Sequence, residues 1–421
     1  MSTTTRTSRA AAPNTARGGN VWAAVLCWLT VALEGFDLVA LGAVIPTLLE
    51  TKHLGMTPAD ATFVATVSLI GVGIGAAAGG HITDRYGRRV ALFGSVLVFS
   101  VFTILVPLAP SVMLMAAARF VAGLGLGACM PTAITIMSEI APATRRASAT
   151  TITMTGYHVG AVAMSLLAIA LVPDWHILFY LGGGFGLLLL PLVWFGVPEL
   201  AVTEPVTEPT DGPAATEQAA SASAVLRHPY RFTTLAAWVT SFMGLLLVYG
   251  LNTWLPQIMR SAGYSLASSL SLLLIMNAGA ILGLVLAGMV GDMRGIKAAA
   301  TSWFVASAAF LALLSIRMES DLLLHVVVFV TGLFVFSAQG LVYALLAHLF
   351  PAHLRGTALG FASGVGRLGA VVGPAFTGVL VARGAAHPWG FYFFAAVAVL
   401  AVVALAPMPS RPFRGQSAHA E

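Results

Sequence analysis

The chain has 421 residues, of which 58% are hydrophobic and only 9% charged, with a mean hydropathy of +0.91. Soluble domains carry about 25% charged and about 45–50% apolar residues, so this composition does not supply a water-facing surface for a chain of such length. A soluble enzyme, a nucleic-acid binder and a disordered scaffold are excluded, and a polytopic membrane protein is indicated. The net charge of +5 does not point to nucleic acid, because the basic residues form short clusters between apolar runs. Cys27 and Cys129 both sit inside apolar segments, so neither a disulfide framework nor a Cys-based metal site is expected.

In chain order, residues 1–20 are polar, carry Arg6, Arg9 and Arg17, and read as a cytoplasmic tail rather than a cleaved signal peptide. A membrane-spanning helix needs about 20 mostly apolar residues. Twelve runs qualify, at 21–47, 60–82, 90–109, 112–138, 148–172, 176–196, 232–258, 266–290, 298–316, 322–347, 356–382 and 389–407. Backbone groups must be paired inside lipid, so these runs are helices; they are too long and continuous for barrel strands. Residues 197–231 form a polar linker, and 409–421 form a second tail. The expected domains are therefore a bundle over 21–196 and a bundle over 232–408, six helices each. An even number of spans puts both termini on one side. The clusters Arg85-Arg88-Arg89, Arg145-Arg146, Arg227-Arg231, Arg294-Lys297 and Arg411-Arg414 make that side cytoplasmic by the positive-inside rule, against Lys52, Arg260, Arg317 and Arg383 in the opposite loops.

The two halves repeat. Pro142-Ala-Thr-Arg-Arg146 aligns with Pro351-Ala-His-Leu-Arg355, and His158-Val-Gly160-Ala-Val162 aligns with Arg367-Leu-Gly369-Ala-Val371 at the same offset. Asp84-Arg-Tyr-Gly87-Arg88 is echoed by Asp292-Met-Arg294-Gly295-Ile-Lys297 at almost that offset. A duplicated six-helix unit is the architecture of transporters whose substrate lies near the midplane between the halves.

With these residues in view, the chain resembles the major facilitator superfamily. Gly80-His-Ile-Thr-Asp84-Arg85-Tyr-Gly87-Arg88-Arg89 fits that superfamily's signature between helices 2 and 3, and Arg119-Phe-Val-Ala-Gly123-Leu-Gly125-Leu-Gly127 fits its helix-4 pattern. Within it, the chain is similar to the aromatic acid:proton symporters, which take up benzoate and hydroxybenzoates. Glu34-Gly35-Phe36-Asp37 resembles their Asp-Gly-x-Asp motif in helix 1, with Glu34 departing from aspartate at the first acidic position. Gly364-Val-Gly366-Arg367-Leu-Gly369-Ala-Val-Val-Gly373-Pro374 resembles their arginine-bearing helix 11, and Trp254-Leu-Pro256 fits the end of helix 7. Helix 5 lacks the Gly-Pro-x-x-Gly-Gly signature of proton-coupled drug exporters, which favours import.

An ionisable group at the bilayer centre costs at least ~2.5–3.5 kcal/mol, so each one inside a span needs a reason. Glu34, Asp37, Arg119 and Arg367 are the four that stand out. Glu34 and Asp37 share one face of helix 1, and as carboxylates in a partly dry cavity they are candidates to hold and release a proton. Asp37 is the first choice, with Arg119 beside it in coupling or as its counter-ion. A structural ion pair between helix 1 and helix 4 or 11 is the plain alternative. Guanidinium keeps its charge when buried and matches a carboxylate with a planar fork, so Arg367 is the expected anchor for an anionic substrate. The repeat places His158 opposite Arg367, where it could join a proton relay or pack as an ordinary satisfied histidine. Tyr157, Tyr249, Asn252, Asn277, Gln339 and Tyr343 lie at similar depth, and Phe36, Trp254 and Phe361 could stack on a ring. Asp84, Arg85, Gly87, Arg88, Arg89, Glu139, Arg145, Arg146, Asp292 and Arg294 read as a cytoplasmic layer that holds one conformation.

The resemblance implies a secondary importer in the plasma membrane, acting as a monomer by alternating access. It would move an aromatic monocarboxylate with protons, use the proton gradient, and need no cofactor or metal. The alternatives are a symporter or exporter of another small organic anion, or a non-transporting membrane sensor on the same fold. No Gly-x-x-x-x-Gly-Lys-Ser/Thr loop supports an ATP-driven pump.

Overall fold

A computed structural model describes residues 15–141, 146–171, 174–199 and 225–413. Within them are twelve α-helices: α1 Thr15–Glu50, α2 Pro58–Tyr86, α3 Arg88–Leu105, α4 Val112–Ile140, α5 Arg146–Leu171, α6 His176–Gly196, α7 Arg231–Ser261, α8 Leu266–Arg294, α9 Ile296–Leu313, α10 Asp321–Leu349, α11 Ala352–Ala382 and α12 Trp389–Leu405. Eleven are long and apolar enough to cross a membrane by length and composition, and α12 is a shorter apolar helix. α1 begins at Thr15, six residues before the expected span. Thr15–Asn20 holds no proline to end the helix, though Gly18 and Gly19 favour it weakly, and a polar turn beyond the apolar run does not need burial. Residues 1–14, most of the linker and residues 414–421 lie outside the described residues.

Several boundaries follow from capping chemistry. α2 starts on a reciprocal box, with Thr57 N–H donating to Asp60 Oδ2 at 2.9 Å and Asp60 N–H donating to Thr57 Oγ1 at 3.3 Å. Ser111, Ser265 and Ser320 accept from the first turns of α4, α8 and α10. Gly87 and Gly295 sit at φ 87° and turn the chain between α2 and α3 and between α8 and α9. That left-handed φ favours glycine at both repeat-related positions.

Packing follows the repeat. α1 pairs with α5 and α2 with α4 in the first half; α7 pairs with α11 and α8 with α10 in the second. Glycines permit these approaches. Gly71 and Gly75 face the α4 backbone, Gly160 faces the α1 backbone at Ala32, and Gly369 and Gly373 face α7, whereas Gly73 faces open space. Gly160→Leu should therefore force α1 and α5 apart at about 1–3 kcal/mol or more. A sharp loss of monodisperse protein in detergent, compared with a Gly73→Leu control, is the expected result.

The halves meet through α1–α7, α2–α11 and α5–α8. The near face is where α1 begins and α12 ends; the far face is opposite. At the far face, Arg260 Nη2 on α7 donates to Glu50 Oε2 on α1 at 2.9 Å, the one ion pair among the described residues that joins the halves. The near-face pairs stay within the first half: Arg88 with Glu139 at 3.0 Å, and Arg89 with Glu199 at 2.6 Å, its guanidinium also over Trp194. Arg85 lies over the Tyr86 ring. No ion pair joins Asp292 or Arg294 to another described residue. Lys297 instead donates to the carbonyls of Ala406 and Met408 at the end of α12. The side chains of Asp84 and Arg146, and Arg145 as a whole, lie outside the described residues.

Candidate functional site

A cavity of about 370 Å³ lies on the seam between the halves. Its walls are Met130, Pro131 and Ile134 from the last third of α4; Met154, Tyr157 and His158 from α5; Leu245, Val248 and Tyr249 from α7; Leu284 from α8; Phe336, Gln339, Gly340 and Tyr343 from α10; and Ser363 and Arg367 from α11. These are the middle and near-face portions of their helices, so the cavity lies toward the near face. The far side is shut where Gly42 of α1 meets the backbone of Asn252 and Thr253, and where Gly378 of α11 meets Thr62 of α2.

Arg367 projects from the middle of α11, and its Nη1 donates to the Tyr249 hydroxyl at 3.1 Å. No described carboxylate lies within ion-pair distance of it. Glu34 is close enough for the two charges to be felt, together with Tyr157 and Tyr249. Glu34 itself is 1% exposed, and its Oε2 has no hydrogen-bond partner. A guanidinium held on one side by a phenol, with its remaining donors at a mostly apolar cavity, is suited to receive a carboxylate fork.

Asp37 and Arg119 behave differently. The Asp37 carboxylate accepts from Arg119 Nη1 and from the Thr103 hydroxyl, and both members of the ion pair are at most 2% exposed. The Arg119 guanidinium lies 6.0 Å from the centre of the Phe179 ring. This pair is wholly inside the first half and does not line the cavity. The structure thus brings three of the four intramembrane charges into two environments: a closed ion pair at Asp37–Arg119 and a cation without a carboxylate partner at Arg367.

His158 lines the cavity, and its Nδ1 is 3.4 Å from Asn277 Oδ1, with edge-on contacts to Tyr157 and Phe336. Asn277 Nδ2 donates onward to Asn252 Oδ1 at 3.0 Å. Gln339 lines the cavity and donates to Ser241 at 2.9 Å, and Tyr343 lines it as well. Five expected contact residues are not in the wall, Phe361 among them. Trp254 is fully buried, with its indole N–H donating to Pro374 O at 2.8 Å, so it ties α7 to α11 instead. Phe36 is spent on packing against Gly182 of α6. Asn252 and Asn277 are buried, with Asn277 joined to the cavity wall at His158 and Asn252 bonded to Asn277.

Sequence reading missed the Glu50–Arg260 pair and the α4 wall. The first had a usable signal, since the two residues end spans 1 and 7, equivalent places in the repeat. The second had little, because Met130 and Ile134 look like any apolar helix residue.

A two-half helical bundle with an arginine-bearing cavity on its seam, shut on one side, is the architecture of membrane transporters that bind substrate between two repeats. The family model described as Major Facilitator Superfamily matches residues 27–342 and 279–421. The gentisate transporter of Corynebacterium glutamicum is 33% identical over 404 residues, covering 92% of this chain and 87% of that protein. The benzoate transport protein of Acinetobacter baylyi is 29% identical, covering 90% and 87%. The crystal structure of a D-xylose-proton symporter superposes with a TM-score of 0.75 at 18% identity, covering 93% of this chain and 98% of that one, a likeness of fold. The chain belongs to the major facilitator superfamily, a family of transporters and not of enzymes.

Proposed function

We propose that this protein is a proton-coupled importer of aromatic monocarboxylates that works as a monomer by alternating access, in a bacterial plasma membrane with both termini cytoplasmic. The observation that carries the reading is Arg367: a cation without a carboxylate partner, braced by Tyr249, at a cavity of about 370 Å³ walled by Tyr157, Phe336, Tyr343 and aliphatic side chains. Small-molecule sites of this kind span roughly 300–1,000 Å³ and use a few placed polar groups within apolar walls. The relatives that transport gentisate and benzoate support the same substrate class.

Arg367 meets the anion, and the walls meet the ring. The proton is carried by Asp37, with Glu34 beside the cavity as a second acid. When Asp37 is protonated, its ion pair with Arg119 is lost, and that change biases the two states of the carrier. Coupling requires such differential affinity, because a ligand that binds both states equally shifts nothing. The basic clusters at the near face support the orientation. Labelled benzoate and gentisate are the test substrates, measured in vesicles with an imposed inward proton gradient. Accumulation that collapses on adding a protonophore is expected; uptake indifferent to the protonophore would refute the symport.

A further inference from the structure

Between the cavity and the far face lies a second, much smaller space of about 10 Å³. Tyr157 and Tyr249 line both spaces and so form the partition between them. The small space sits on the seam, with walls from α1, α2, α4, α5 and α7. Ser68 of α2, Arg119 of α4, Tyr157 of α5 and Asn252 of α7 all belong to its wall, and all are more than nine-tenths buried. Each of the four retains one buried polar atom without a protein hydrogen-bond partner: Ser68 Oγ, Arg119 Nε, Tyr157 Oη and Asn252 Nδ2.

A buried polar atom left unpaired forfeits its hydration without compensation, so four around one space call for a common partner. The set has a definite sense. Arg119 Nε–H and Asn252 Nδ2–H can only donate, whereas the Ser68 and Tyr157 hydroxyls can both accept. A molecule that accepts two hydrogen bonds and donates two satisfies all four. The volume, about that of one water-sized sphere, is at the lower limit for holding a single water.

We propose that this seam pocket is a binding site for one water molecule, which clamps the far face shut by joining Asn252 of the second half to Ser68, Arg119 and Tyr157 of the first. The site adds to the transport reading and takes its meaning from alternating access. Opening the far face draws α7 away from α1 and α2, which pulls Asn252 off the water and breaks the clamp. One leg of the clamp is Arg119, whose Nη1 holds Asp37. A change at that ion pair is therefore felt directly at the far-face closure.

Two measurements test this. An experimental map that resolves ordered solvent should show one peak within hydrogen-bonding distance of at least three of the four groups; an empty pocket overturns the proposal. Spin labels on cysteines introduced at Leu54 and Ser261, both exposed at the far face, then report its opening by their separation. Ser68→Val fills the pocket and should raise the population of the wide-separation state about tenfold, a change of about 1.4 kcal/mol. Ser68→Ala removes one leg without adding bulk and should shift the population in the same direction by less. Unchanged distances in both variants overturn the clamp, and a shift with valine but none with alanine assigns the effect to bulk and overturns it equally. The distance measurement needs no transport, so failure of the substrate assignment remains a separate result.

Discussion

Replacing Arg367 by glutamine should remove high-affinity binding of aromatic carboxylates while leaving the protein folded in the membrane. The carboxylate must leave water to enter a cavity whose walls are mostly apolar, and Arg367 is the cation the cavity offers it. Truncating one partner of a desolvated charge pair costs about 2–5 kcal/mol or more, a weakening of roughly 30-fold at the least. Folding is spared because Arg367 has no ion-pair partner to strand, and the Asp37–Arg119 pair lies elsewhere. Arg367→Lys is a sharper probe. It keeps the charge but loses the planar fork and the geometry that places one arm on Tyr249, so binding should be intermediate rather than restored. Equilibrium binding of labelled benzoate to purified protein checks both variants. Affinity within about twofold of the parent in Arg367→Gln, a difference of less than about 0.5 kcal/mol, would assign the anion to another group.

The features most legible in the sequence were those set by the bilayer. Uninterrupted apolar runs specify helices because lipid offers backbone groups no alternative partner, and the repeat of Gly87 in Gly295 survives because both turns use the same left-handed backbone. Charges in spans were legible for the same reason, since their cost makes them conspicuous. What the sequence did not disclose was which charge meets which. Arg119 and Arg367 look alike as buried arginines, yet one is closed by a carboxylate that a threonine hydroxyl also holds, and the other is open to the seam. That difference depends on long-range packing of α1 against α4 and on the Thr103 hydroxyl from α3, which spacing along a helix does not encode. Trp254 lies at the depth of a stacking face, yet its N–H is committed to the Pro374 carbonyl across the α7–α11 contact, a tie that depth along the chain does not reveal. Nor does spacing disclose that the described near-face pairs stay within one half while the pair that crosses the seam is at the other face.

Asp37→Asn should abolish proton-driven accumulation while substrate exchange continues. Asparagine keeps one oxygen for the Arg119 guanidinium and turns its amide N–H2 to the Thr103 hydroxyl, which can accept, so the local geometry has a stand-in that neither gains nor loses a proton. Net symport needs the carboxyl to load a proton at one face and release it at the other, and a neutral amide removes both events. Exchange of internal for external substrate needs only that the loaded carrier reorient, which the variant still permits. The variant also leaves Arg119 buried without its counter-charge, a situation worth about 3–5 kcal/mol in broken buried pairs, so a lower yield of folded protein is expected. The ratio of net uptake to exchange in the same vesicles is insensitive to that yield. The ratio should fall by about a hundredfold, which corresponds to about 2.7 kcal/mol, and the residual uptake should no longer respond to external pH. A variant that still accumulates substrate against its gradient, with the pH profile of the parent, would move the proton from Asp37 to another acid, and Glu34, with its unpartnered oxygen beside the cavity, would be the next to replace.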